Sequence, residues 1–452
     1  MSSESRKRGR IVRAVIALIL IAGLLLSLIW TDKINRKLGL VPAADSAQNE
    51  QQTPDTGTVT ELGDDLNVHF VDVRQGDACI IEFPDDKKML IDAGENNKTD
   101  KTALLNYIEE NIKDAEGNNI KYFDYVVLTH PDSDHCGGMF DVLKEYPAKT
   151  FYRPNVYYND IDKDGNSKIG FDDPETEIKE LGSKNIKDTQ TYGRALQAAY
   201  EGNIEGTPTE VIVTDATDEE TSVIEPDLEK DAAEYYSFTF YAPIGSKSYS
   251  DWNDYSPIMI LEYHEKRFML SGDAEKNAEA DFVAEAMKGD GKYAIFDDEF
   301  SVDVFKLGHH GSRTSSSEAF INVMTTPESC ASVQAIISCG ADNEYGHPHA
   351  EVLERLKKLG FKDENILRTD TLEEGVGAIA MSVRGTKADD GSVSYSLYVG
   401  EEAIRNRPKE KVTVNIWLTW FEIVIIGCVV VIIVLLVLPE IRAWFKKLRG
   451  KR

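Results

Sequence analysis

Cysteine is scarce in this chain: five in 452 residues, at positions 79, 136, 330, 339 and 428, without a paired framework. That excludes a small loop-rich scaffold stapled by disulfides. A bridge between Cys330 and Cys339 stays open, since spacing alone does not decide it. The fold must otherwise rest on an apolar core, and 42% hydrophobic content is enough to build one large or two ordinary domains. Basic charge is also scarce, but only in the middle of the chain. Residues 1–40 and 405–452 hold 18 of the 50 Lys and Arg and 5 of the 78 Asp and Glu, which leaves 32 against 73, a net of −41, for 41–404. Such a field keeps a domain soluble and works against non-specific attraction of polyanions. A nucleic-acid partner is therefore disfavoured unless a local basic groove overrides the charge.

Two long apolar runs stand outside any water-soluble core. Residues 14–30 (AVIALILIAGLLLSLIW) carry no charge, and residues 423–438 (IVIIGCVVVIIVLLVL) follow Trp417 and Trp420. At about 1.5 Å per residue each crosses most of a bilayer core of roughly 30 Å, with the tryptophans at interface depth. Arg6, Lys7, Arg8, Arg10 and Arg13 precede the first run, and six basic residues follow the second. The positive-inside rule then places both termini in the cytoplasm and everything between the spans outside. A cleaved signal peptide is the rival reading of the first run, but "TDKINRK" rather than a small-residue cleavage pattern follows Trp30.

The expected organisation is a cytoplasmic tail and anchor over 1–40, a flexible Gln/Thr/Asp/Gly-rich stalk over 41–65, a folded domain over 66–404, a juxtamembrane segment and second span over 405–440, and a basic tail over 441–452. Within the domain, "NVHFVDV", "ACIIEF", "KKMLIDAG" and "YVVLTH" read as strands, with a helical period in "KTALLNYIEENI" between the last two. "SFTFYAP", "SPIMILEYH", "KRFMLSGDAE", "DVFKLGHHG" and "AIISCG" continue the strands, and helices are expected over 274–287 and 350–359. Strands followed by helices, twice over, indicate an α/β fold of sheets covered by helices. Residues 151–235 are acidic and turn-rich and read as an insertion. Inside it, Asp160, Asp162, Asp164 and Gly165 stand at the first spacings of a calcium loop, but Phe171 takes the twelfth position; a solvated Asp/Gly turn is the stronger reading.

Histidine is rare as well, and its placement carries the chemistry. Six of the eight histidines fall in three short motifs: "THPDSDHCGG" with His130 and His135, "LGHHGS" with His309 and His310, and "YGHPH" with His347 and His349. His69 lies within a strand, and His264 in "YHEKR" reads as a hairpin turn. Side chains of an extended loop alternate, so His130, Asp132 and Asp134 can face one point while His135 reaches a neighbouring one. That layout suits two adjacent metal ions. "LSGDAE" adds Asp273, a carboxylate able to bridge them. Cys136 is expected as a small buried residue under the loop, and the serines at 312 and 315–317 as caps of the next helix.

Taken together, "DVRQGDACIIE", "LIDAG", "HPDSDHCGG", "SGDAE", "KLGHHGS" and "GHPH" resemble the metallo-β-lactamase superfamily, in particular the extracytoplasmic hydrolase domain of ComEC-type DNA-uptake proteins. The resemblance runs from about residue 68 to 359. It implies a four-layer αβ/βα sandwich with two divalent ions, zinc or manganese, at one edge. It also implies His130 and Asp132 on one ion, Asp134 and His135 on the second, Asp273 between them, and His309 or His310 completing the second site. His347 and His349 would lie toward the substrate; Asp72, Gln75, Gly76, Asp77, Asp92 and Gly94 would orient the site. Two departures stand out. Asp132 replaces the middle histidine of the superfamily's HxHxDH pattern, and Asn253 or Asp254 stands where its third motif would bring another histidine. Both make the first position richer in oxygen, which favours a harder ion such as manganese or weaker occupancy.

Paired ions activate water and stabilise a developing oxyanion, and a charged phosphodiester profits from both. Phosphodiester hydrolysis with Asp134 as proton acceptor is the expected activity. Ester, lactone or β-lactam hydrolysis on the same fold is the alternative. So is a non-catalytic metal-binding domain in a DNA-uptake or envelope assembly. Two spans are too few for an uptake channel, and no protein partner is indicated.

Overall fold

The computed structural model of the chain describes residues 60–156 and 191–404, apart from 64, 96, 246, 248 and 374. Both apolar runs, the stalk up to residue 59 and the candidate calcium loop of Asp160, Asp162 and Asp164 lie outside the described residues. Among the described residues, no helix is long and apolar enough to cross a membrane.

Alternating and continuous apolar runs build two mixed sheets. In the first, β1 (Leu66–Val71), β2 (Cys79–Glu82) and β3 (Lys88–Ile91) form an antiparallel meander. β4 (Phe123–Val127), β5 (Ala148–Arg153) and β6 (Glu210–Val213) then add in parallel. The second sheet, edged by the short strand Val223–Ile224, runs through β7 (Ser237–Phe240) and the hairpin of β8 (Met259–Tyr263) and β9 (Lys266–Leu270) to parallel β10 (Val304–Lys306), β11 (Gln334–Ile337) and β12 (Ile366–Arg368). The chain returns to the first sheet through β13 (Ala378–Lys387), antiparallel to β1, and β14 (Val393–Val399) closes on β13. His264 and Glu265, both at positive φ, make the two-residue turn between β8 and β9, as expected for that histidine.

Three apolar layers hold these sheets. Phe70, Ile81 and Met89 of the first sheet meet Phe238, Leu261 and Phe268 of the second in one fully buried cluster. On the outer face of the first sheet, α1 (Lys98–Asn111), α3 (Met139–Glu145) and α4 (Thr191–Glu201) bury Leu104, Ile108, Met139, Val142 and Leu196; the short α2 (Ser133–Cys136) lies just before α3. The second sheet is covered by α5 (Lys276–Ala286), α6 (Glu318–Met324) and α7 (Ala350–Leu359), with Phe282, Phe320 and Leu356 turned inward. Each such buried large apolar side chain contributes roughly 1.5–3 kcal/mol relative to an exposed one. The layering is helix, sheet, sheet, helix.

The expected insertion over 151–235 is corrected in part. Arg153 ends β5, α4 buries Tyr192, Ala195, Leu196 and Ala199 at helical spacing, and β6 pairs with β5 in parallel from Thr150 opposite Glu210 to Arg153 opposite Val213. Only 157–190 lies outside the described residues of that stretch. Acidic residues around its short apolar stretches diluted the periodicity of a strand–helix–strand unit whose helix covers the sheet. The open Cys330–Cys339 bridge is not formed: both thiols are buried and free, with the Cys330 thiol on Thr325 Oγ1 and the Cys339 N–H donating to Thr369 Oγ1.

Candidate metal centre

Parallel strands end together at one edge of the sandwich, and each delivers a polar group there. β3 ends at Ile91 and presents Asp92, β4 ends at Val127 and presents His130, and β9 ends at Leu270 and presents Asp273. β10 ends at Lys306, just before His309 and His310. Hydrophobic strand interiors thus set the position of polar ends.

Four imidazoles share one arrangement: Nδ1 faces a protein acceptor and Nε2 faces Asp273. Thr129 donates from its N–H and its hydroxyl to the two oxygens of Asp92, at 2.9 and 2.7 Å, and its Oγ1 accepts from His130 Nδ1 at 3.0 Å. His135 Nδ1 donates to Asp92 Oδ2 at 2.7 Å, His310 Nδ1 to the Ser338 carbonyl at 2.9 Å, and His309 Nδ1 to Glu275 Oε1 at 3.0 Å. Their Nε2 atoms lie 3.9 (His130), 3.2 (His135), 3.8 (His309) and 3.4 Å (His310) from Asp273 carboxylate oxygens. A partner on one ring nitrogen fixes the tautomer that leaves the other free to bind.

Carboxylates complete the ring. Asp134 Oδ2 is 3.2 Å from His310 Nε2, Asp132 Oδ2 is 3.7 Å from His130 Nε2, and Asp77 Oδ1 is 3.3 Å from His310 Nδ1. Asp273 is almost fully buried, whereas the side chains of Asp134 and Asp132 are 20% and 44% exposed. Asp134 is also gripped through its backbone: its carbonyl accepts from Asp77 N–H, and a Cβ on Gly76 would stand 2.2 Å from that oxygen. Only glycine permits this approach.

The electrostatics follow from that crowding. Burial alone would raise the Asp273 carboxyl, but His135, His310 and His309 outweigh it and hold it well below the ordinary range. Asp134 is held low in the same way by His310 and His135. Burial also opposes the Asp77 charge, yet Lys306 and then His310 hold its carboxyl at about 2. His135 and His310 are raised well above the usual imidazole value, burial being overcome chiefly by Asp273. His347 moves the other way, down to about 4, through burial and the neighbouring His310 and His309.

Divalent ions fit this donor set on two observations. His130 Nε2 is fully buried without a hydrogen-bond partner. Asp77, His135, Asp273 and His310 each offer an atom within 4.8 Å of the others. Neutral imidazole and carboxylate are ligands for zinc or manganese alike. Asp77, expected to orient the site, therefore stands inside this buried group of four. Asp92 and Gly94 sit behind the loop, where Asp92 holds His135 and Gly94 N–H donates to the Asp77 carbonyl. Asp72 accepts from Arg74 N–H, and Gln75 Oε1 from Gly340 N–H at 3.4 Å.

His347 is buried beside His309, its ring 5.3 Å away and its Nδ1 unpartnered, while His349 Nδ1 accepts from Arg313 N–H. Asn253 and Asp254 separate: Asn253 reaches His309, and buried Asp254 accepts from the N–H groups of Glu275 and Ala278 at the start of α5. Cys136 is buried, with its thiol on the Pro131 carbonyl, and Ser317 caps α6 through Phe320 N–H. Sequence reasoning assigned no role to Thr129, Glu275, Lys306 or Ser338. All four lay inside stretches quoted above, but only spatial neighbours reveal what they touch.

The comparisons agree with this architecture. The model of the metallo-beta-lactamase superfamily matches residues 71–220, the segment that contains His130 to His135. Over that segment, about a third of its length, the chain is similar to the superfamily. It is 25% identical over 325 residues to ComE operon protein 3 of Bacillus subtilis (strain 168), covering 68% of this chain and 32% of that protein. Recombination protein 2 of Haemophilus influenzae is 25% identical over 301 residues, 66% of this chain and 27% of the relative. Competence protein ComA of Neisseria gonorrhoeae is 33% identical over 143 residues, 31% and 18% respectively. The chain thus spans under a third of the length of these relatives. Among solved structures, Rm3 metallo-beta-lactamase aligns at 13% identity and a TM-score of 0.27 over 56% of this chain and 77% of that one, a likeness that adds nothing to the assignment.

Proposed function

We propose that this protein is a membrane-anchored, metal-dependent hydrolase that cleaves phosphodiesters outside the cytoplasm. One observation carries the reading: beside the buried Asp273, Asp134 keeps a partly exposed carboxylate 3.2 Å from His310 Nε2, where a water and a substrate can reach it. A divalent ion bound here would supply Lewis acidity toward the phosphoryl oxygens. Asp134, held ionised, accepts the proton of the attacking water. His347 stands beside His309, its ring 5.3 Å away, with a buried Nδ1 that has no hydrogen-bond partner. The apolar runs at 14–30 and 423–438, with their basic flanks, support the membrane placement. The relatives named for competence and recombination keep nucleic acid among the candidate substrates; the net −41 of residues 41–404 favours smaller or envelope phosphodiesters.

The test is hydrolysis of bis-p-nitrophenyl phosphate by the full chain in detergent, with manganese or zinc restored after chelation. Turnover should require the ion, and Asp134→Asn should lower it by roughly 10²–10⁴-fold, the range of general acid–base contributions. Folded, ion-loaded protein without turnover would redirect the reading to carboxylic esters or lactones.

A further inference from the structure

The first ion position is short of nitrogen. His130 and Asp132 face it, yet between His135 and His309 the chain holds no histidine other than His264. That one sits in the β8–β9 turn with its Nε2 on the Ala233 carbonyl. We propose that His309 supplies the missing imidazole: it joins His130, Asp132 and Asp273 at the first position, while His310 serves the second with Asp134 and His135, and Glu275 positions His309.

The geometry separates the two neighbouring rings. His310 is buried, its Nε2 is 3.2 Å from both Asp134 Oδ2 and His135 Nε2, and it belongs to the group of four with Asp77. His309 is outside that group, and its ring centroid is 6.0 Å from that of His310 at an interplanar angle of 77°. Its Nε2 lies 3.8 Å from Asp273 Oδ2, an oxygen that is 3.9 Å from His130 Nε2 and also 3.4 Å from His310 Nε2, so the two rings share this carboxylate and are separated by their other partners. The buried, unpartnered His130 Nε2 points independently to a ligand at this spot. Adjacent residues can serve two positions because both are left-handed, with φ of 48° and 54°. That conformation is costly for a side chain with a Cβ, and such strain concentrates at functional sites.

Glu275 gives His309 its direction. Nδ1 has three polar neighbours: Glu275 Oε1 at 3.0 Å, Thr314 Oγ1 at 3.2 Å and Asn253 Nδ2 at 3.4 Å. The carboxylate only accepts, so it fixes the proton on Nδ1 and leaves the Nε2 lone pair toward Asp273. Asn253 stands behind this ring rather than taking its place.

The inference rests on the metal-dependent reading of the same site, and ion counting rather than turnover tests it. The full chain in detergent, stripped by chelation, is titrated with Mn²⁺ and with Co²⁺ against a chromophoric chelator; ions per chain are counted by mass spectrometry, and Co²⁺ absorption reports coordination. Wild type should bind two ions. His309→Gln should leave one equivalent unchanged and weaken the other at least about 10-fold, and Glu275→Gln should weaken that same equivalent about 10-fold, the low end of the penalty for losing an orienting partner. His309→Asp, which returns an oxygen donor, should recover part of the loss. Two undisturbed equivalents in His309→Gln and Glu275→Gln would overturn the assignment, as would equal weakening of both. A wild type that binds one ion would overturn it too, whereas a wild type that binds none would overturn the metal-dependent reading itself. Should His309→Gln fail to fold, Glu275→Gln decides alone.

Discussion

Lys306 Nζ lies 2.9 Å from Asp77 Oδ2, and both side chains are buried, one at the end of β10 and the other in the turn before β2. The ammonium also donates to the Leu307 carbonyl at 3.0 Å. A single ion pair therefore ties the second sheet to the first directly behind His310. Removing one partner leaves an uncompensated buried charge, which costs about 3–5 kcal/mol. Lys306→Met should lower the unfolding free energy of the ion-free chain by that amount in urea, and Lys306→Met with Asp77→Asn should recover a large part of it. Equal loss in the single and double variants would mean that the pair is not what stabilises this junction.

Asp92 touches no other acidic group of the cluster, yet it holds His135 Nδ1 at 2.7 Å and accepts twice from Thr129. Losing such a carboxylate typically weakens metal binding 10- to 100-fold without removing a ligand. Asp92→Ala should do so in a chelator competition while keeping the number of ions bound. A lost equivalent with unchanged affinity for the rest would instead make Asp92 a ligand.

Gly76 should tolerate no side chain. Its φ is 126° and an added Cβ would meet the Asp134 carbonyl at 2.2 Å. Gly117, at φ 83° with nothing within 4 Å of its Cβ position, offers the matched control. Gly117→Ala should cost about 1–2 kcal/mol from the left-handed backbone alone. Gly76→Ala should cost more than that and also weaken ion binding, because the Asp134 backbone must move. Similar thermal shifts with intact ion binding in both variants would show that the loop relaxes freely.

pH should act on the ion-free and ion-loaded chains in opposite senses. His135 and His310 are raised above 6.5 in the folded, ion-free chain, so their stabilisation is full below pH 6.5 and is lost as pH rises through the folded values. Asp134 and Asp273 are lowered below 3.8, so theirs is present above that value and is lost on acidification. Ion-free stability should therefore decline as pH rises above 6.5. Ion affinity should rise over the same window, because each ring must release its Nε2 proton to become a ligand. Denaturant titrations and chelator competition at pH 6, 7 and 8 measure both slopes; parallel slopes would contradict the linkage.

Much of the site was legible in the chain. The strands before His130, Asp273 and His309 are short apolar runs that end where the polar motif begins, so strand periodicity alone placed those residues at strand ends. What it could not supply was the partner on the far side of each side chain. Asp254 and Asn253 are neighbours of similar character, yet one serves the start of α5 and the other faces His309. The unit from α4 to β6 was hidden for a related reason: its short apolar stretches gain meaning only when β5 lies alongside.

The sequence by itself determined the inventory: apolar runs at 14–30 and 423–438, an acidic middle, and six histidines concentrated in three motifs. Those properties are local, being set by side-chain type and spacing. Tertiary structure alone decided which ring faces which carboxylate. Asp92 is 43 residues from His135, and Asp77 is 229 from Lys306, so their contacts exist only because two sheets stack and align their strand ends. The division of His309 from His310 is likewise tertiary, since Glu275 and the Ser338 carbonyl turn two chemically identical neighbours toward different places.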